Sequence, residues 1–172
     1  SKYATYTIYQ LEELHSNFLI DSWSYSKVVS FARNEKNFEK EEIYREKSRR
    51  SATTVAGNAY HKAAELYFNN YAIGIETSIT ELEREAYNYI DGIPANAWKL
   101  QKTTPTIEKC VEVANNTATT LIRNFLTEIS VYLDELEEVL GVEIWCDEWL
   151  TINGVDIPLP CHAKIDLVIR LK

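Results

Sequence analysis

The strongest constraint on the fold is a change of hydrophobic period near residue 141. Upstream of it, Ile107, Val111, Ala114, Ala118, Leu121, Ile122, Phe125, Ile129, Leu133, Leu136 and Leu140 recur in steps of mostly three and four for more than thirty residues. Such a stripe is the core-facing side of one long helix. The spacing predicts that the helix runs to Leu140 and stops at Gly141 as a left-handed cap. Downstream, Val142 to Ile152 alternates strongly enough to predict a strand, and Asn153-Gly154 is a hairpin signal. The returning strand carries Pro158 and Pro160, so its start is irregular or at an edge. It becomes regular from Cys161 to Ile169. A chain with both periods is an α/β mixture, of the α+β kind.

The rest reads as helix. Ile8, Leu11, Leu14 and Phe18 outline a helix over Tyr6 to Ile20, broken at Asp21-Ser22. Ser24-Tyr25-Ser26 caps a second helix with Val28, Val29, Phe31 and Ala32. Asn34 to Asn37 turns into a third with Phe38, Ile43 and Tyr44. All of residues 1–50 is thus expected to be helical. From Ser51 to about Asn70, Val55, Ala59, Ala63, Leu66 and Tyr67 keep helical spacing behind the capping hydroxyls of Ser51, Thr53 and Thr54. Asn69-Asn70 and Gly74 mark a loop. Ile79, Leu82, Ala86, Tyr89 and Ile90 outline a further helix ending near Asp91-Gly92, and residues 93–105 form a long loop pinned by Trp98.

Composition narrows the class. With 172 residues, 45% hydrophobic and 26% charged, the chain is long enough for one domain, 1–172, with a sizeable core. No run approaches membrane-span length and no apolar signal region opens the chain, so a cytoplasmic address and no membrane partner are expected. There is no methionine, so a processed product or fragment is expected, continuing past Lys172. Cys110, Cys146 and Cys161 lack CxxC spacing and read as reduced thiols, with no structural zinc or iron–sulfur site. A net charge of −8 argues against a general polyanion-binding surface. Lys47, Arg49 and Arg50 nevertheless cluster before a helix start, where a phosphate is favoured. The alternative is a solvated basic turn beside Glu41, Glu42 and Glu46.

Two stretches carry candidate chemistry. Gly57, His61 and Glu65 lie four apart on one helix face, an imidazole one turn from a carboxylate and a glycine one turn before it. That is half of a metal or acid/base site, or else a boundary histidine with ordinary surface charge. In the last strand His162, Lys164, Asp166 and Val168 share one face. Asp166 in mid-strand must be paired, solvated or metal-bound; the alternative is a solvent face with Lys164 and Asp166 as a surface pair.

Together these stretches resemble the RecB-like branch of the PD-(D/E)XK nuclease superfamily. The GxxxHxxxE run of Gly57, His61 and Glu65 resembles its first motif, and SYSKVVSFARNEKNF resembles its N-terminal helix pair. Ala163-Lys164-Ile165-Asp166 is similar to the G-x-x-D motif, with Ala163 in place of glycine. The resemblance spans Trp23 to Ile169, and each motif is short. It implies a helical N-terminal half (1–50), a core helix (51–70), a helical insertion (79–140) and the first two strands (142–172) of a restriction-endonuclease-like mixed sheet.

It also implies phosphodiester hydrolysis on DNA with Mg²⁺ or Mn²⁺. Asp166 would be the principal ligand, His61 a second, and Glu65 a ligand or neighbour to one. The branch's iron–sulfur variants need a cysteine near Arg33-Asn34, where there is none, so no iron–sulfur cluster is expected. The family's acid-x-lysine strand is missing, because no acid stands two residues before Lys172. The chain alone is therefore expected to be inactive, with its last strand edge open to a second copy or another chain, and with a recombination or repair protein as a further expected partner. The rivals are a non-catalytic helical interaction or regulatory module in a nucleic-acid-processing complex and a zinc enzyme using His61, His162 and an acid.

Overall fold

The computed structural model describes residues 15–172. The fold is α+β, with five α-helices from Tyr25 onward and a small antiparallel strand system among these residues. It divides into two compact units, one comprising the described residues through Lys47 together with Glu143–Ile165, the other comprising Ser48–Val142 and Asp166–Lys172.

The second unit is a three-helix bundle. Helix α3, Ala52–Ala72, starts where the Ser51 hydroxyl accepts the Thr54 N–H at 3.2 Å. It buries Val55, Ala56, Ala59 and Ala63. Helix α4, Ile79–Asp91, opens with a reciprocal cap: the Glu81 N–H donates to Ser78 Oγ at 3.3 Å and the Ser78 N–H to Glu81 Oε2 at 2.8 Å. Its buried face is Leu82, Ala86 and Ile90. Helix α5, Ile107–Tyr132, is capped by Thr106 and buries Cys110, Ala114, Ala118 and Ile122. The three pack on one another through these faces. Alanine at most contact positions keeps the backbones close, and Leu82, Ile90 and Ile122 each add about 1.5–3 kcal/mol of burial. Trp98, from the long loop, seals the same core at 2% exposure. The backbone of Arg50 holds that loop, its N–H bonding to the Ala97 carbonyl and its carbonyl to the Lys99 N–H, both at 2.8 Å.

In the first unit, Ser24 caps α1, Tyr25–Arg33. Helix α2, Glu35–Phe38, runs into a five-residue π turn, Glu39–Ile43. Ile20, Phe38 and Leu159 form a small core with Trp23 and Ile43 against it. Trp23 bonds along the chain at Cys161, its N–H to the Pro160 carbonyl at 2.9 Å and its carbonyl to the His162 N–H at 2.6 Å. Strand β1, Leu136–Glu148, pairs with β4, Cys161–Leu171, and the hairpin β2, Thr151–Ile152, with β3, Val155–Asp156. Asn153 and Gly154 both take left-handed φ, 52° and 78°, as a tight primed turn requires.

Several expectations need correction. The long helix ends at Tyr132, not Leu140, and β1 begins at Leu136. Asp134, Glu135, Glu137 and Glu138 would have crowded the negative end of a longer helix, which the macrodipole opposes. Gly141 lies inside β1 and is not a left-handed cap; the left-handed residue there is Glu143, φ 55°. The strand from Val142 does not run unbroken to Ile152, because Trp149 and Leu150 separate β1 from β2. Residues 44–50 are not helical, and Arg45 turns with φ 54°. The expected first helix lies largely outside the described residues, of which 15–18 are helical.

Candidate functional site

Strand alternation sets His162, Lys164, Asp166, Val168 and Arg170 on one side of β4. The charged members other than Asp166 have partners on β1. His162 Nδ1 pairs with Asp147 Oδ1, and Lys164 Nζ with Glu143 Oε2. Arg170 Nη1 meets Glu138 Oε2 at 2.6 Å. The partners fall in sequence along β1 as they rise along β4, which makes the pair antiparallel. The His162 ring stacks on Trp145 with centroids 4.6 Å apart, and Lys164 Nζ lies 5.2 Å from the same ring. Asp147 is sheltered, its side chain 7% exposed.

Asp166 is exposed and has no ion pair or hydrogen bond among the described residues. The surface pair of Lys164 with Asp166 does not form, because Lys164 is taken by Glu143. On α3, His61 is exposed, without a hydrogen bond or ion pair among the described residues; it only meets the Tyr60 ring edge-on at 5.7 Å. Glu65, half-buried, is held by Lys62 one turn back. Gly57 leaves open space where a Cβ would stand, so no packed neighbour demands the glycine.

Among the described residues no three His, Cys, Asp or Glu side chains converge into a metal-binding group. His61, Glu65 and Asp166 are thus not gathered as a ready three-ligand set. In donor type and freedom, His61 and Asp166 suit a divalent ion; Glu65 would first have to leave Lys62.

The basic trio differs in freedom. The Arg50 guanidinium donates to Tyr89 Oη at 3.1 Å. Lys47 and Arg49 are exposed; Lys47 belongs to the first unit and Arg49 to the second. All three cysteines are free thiols, with Cys110 buried against the Thr104 carbonyl.

Periodicity alone missed Asp147 and Glu143 as partners of His162 and Lys164. Counting outward from the Asn153-Gly154 turn would have suggested the second, since the register Ile152 to Val155 and Thr151 to Asp156, continued by number alone, sets Glu143 against Lys164 and Trp145 against His162.

No helix among the described residues is long and apolar enough to cross a membrane. No protein-family model, curated protein or solved structure matches this chain.

Proposed function

We propose that this chain is the metal-binding portion of a Mg²⁺- or Mn²⁺-dependent DNA nuclease of the PD-(D/E)XK type, serving phage, plasmid or repair DNA processing. The observation that carries the reading is the isolation of Asp166, the one charged side chain on its strand face without a partner among the described residues. Asp166 is solvated and uncommitted to any described side chain, so its carboxylate is open to an ion, and His61 is equally free on α3. These two would hold the ion, with Glu65 joining on release from Lys62. A bound divalent ion would supply an activated water and offset charge developing on the scissile phosphate. Lys47 and Arg49 would meet DNA phosphates, while Arg50 braces the helix start through Tyr89. The reading requires an acid-x-lysine strand that the sequence up to Lys172 lacks, so the chain alone would not cut.

The rival, a non-catalytic helical interaction module, is favoured by one observation: no three metal ligands converge among the described residues. Calorimetric titration of Mn²⁺ into the chain separates the two readings. We expect Asp166→Asn and His61→Ala each to weaken binding roughly tenfold or more, and Glu65→Gln to do less. Affinity indifferent to both of the first two variants would remove the site and leave the module reading.

A further inference from the structure

The second unit holds a cavity of about 640 Å³ that the nuclease reading does not use. Its size falls within the range of small-molecule sites. Tyr67 and Tyr71, on the last turns of α3, form one wall, their rings stacked with centroids 6.3 Å apart and 22° between planes. Leu126, Ile129 and Leu133, at the end of α5, form the apolar wall, and Glu76 supplies a carboxylate.

The electrostatics all have one sign. Both helices end at this cavity, and helix C-termini carry negative partial charge. Glu76 has no ion pair or hydrogen bond among the described residues, and among them no basic side chain lines the cavity. Burial pushes the Tyr67 hydroxyl above its ordinary pKa, and the nearby Tyr71 and Glu76 push it further, so the Glu76 carboxylate acts on the aromatic wall. Tyrosine faces themselves attract cations.

The loop that completes the cavity is shaped in advance. Gly74 turns with φ 74° and leaves open space where a side chain would stand, and the Asn70 amide donates to the buried Thr77 hydroxyl at 3.0 Å.

We infer that this cavity binds a small organic cation, a single ammonium or guanidinium charge on an apolar or aromatic body, with the charge between Glu76 and the Tyr71 ring and the body against Leu126, Ile129 and Leu133. A neutral molecule of the same shape would gain only the apolar wall, and an anion would be repelled. The inference does not depend on the nuclease reading.

The test uses benzyltrimethylammonium and the similarly shaped neutral tert-butyl(phenyl)methanol, each titrated into the chain while NMR follows the Tyr67 and Tyr71 ring signals. The cation should shift both rings and bind at least about fivefold more tightly than the alcohol. Glu76→Gln and Tyr71→Leu, both outside the buried core, should each lower its affinity roughly threefold to fivefold, with the alcohol unaffected by Glu76→Gln. Equal affinity for the two probes, or a cation that leaves both rings unshifted, would overturn the inference, as would indifference to both substitutions.

Discussion

At the residue scale, two aspartates have opposite circumstances. Asp147 is sheltered and paired with His162, whereas Asp166 is exposed and partnerless among the described residues. Replacing Asp147 by alanine leaves a half-buried imidazole without its acceptor and should cost about 1–3 kcal/mol in urea unfolding, while Asp166→Ala should change stability by less than about 0.5 kcal/mol. A third acid, Asp21, gives the pH dependence. Burial alone would raise its pKa, but the Lys27 ammonium 3.0 Å away, with Ser22, brings it below the ordinary 3.8. Its folded pKa lies below the unfolded one, so its stabilisation is present above about pH 3.8 and lost as pH falls through the lower value. In acid titrations of stability, Asp21→Asn should flatten that limb, by under about 1 kcal/mol because the pair is partly solvated. The sequence singled out His61 and Asp166 by type and spacing, and both prove exposed and unpaired among the described residues. It hid which residues were already engaged, because a pairing such as His162 with Asp147 is offset from the register that the turn sets.

At the element scale, local chemistry sets the boundaries. The reciprocal Ser78–Glu81 cap fixes the start of α4, and Ser78→Ala should lower stability by about 0.5–2 kcal/mol, read from thermal unfolding. The primed turn makes Gly154 intolerant of a side chain: Gly154→Ala meets no neighbour but must hold φ at 78°, at a cost of about 1–2 kcal/mol. Helix α3 and its Ser51 cap were readable from propensity and spacing, as was the Asn153-Gly154 turn. The end of α5 was not, because Leu133, Leu136 and Leu140 continue the helical stripe while the acids among them oppose a longer helix. Apolar spacing cannot by itself separate that competition.

At the scale of the molecule, the bundle of α3, α4 and α5 is what holds the first candidate ligand in place. Ile122 is fully buried at its centre. Ile122→Ala should cost about 2–5 kcal/mol and, if α3 carries a ligand, should lower Mn²⁺ affinity in parallel with the loss of folded protein. Mixed α and β composition was legible from the change of period, and the bundle's apolar faces from their spacing. The division into two compact units was not, because two of its three boundaries fall inside β1 and β4 rather than in a linker. The central claim is that one divalent ion joins a helix residue to a strand residue. Mn²⁺ titration followed by paramagnetic broadening of the His61 and Asp166 signals measures this directly. The account predicts that both broaden together, with a single midpoint, and that Asp166→Asn abolishes the broadening at His61. Broadening at one residue without the other, or at neither, would contradict it.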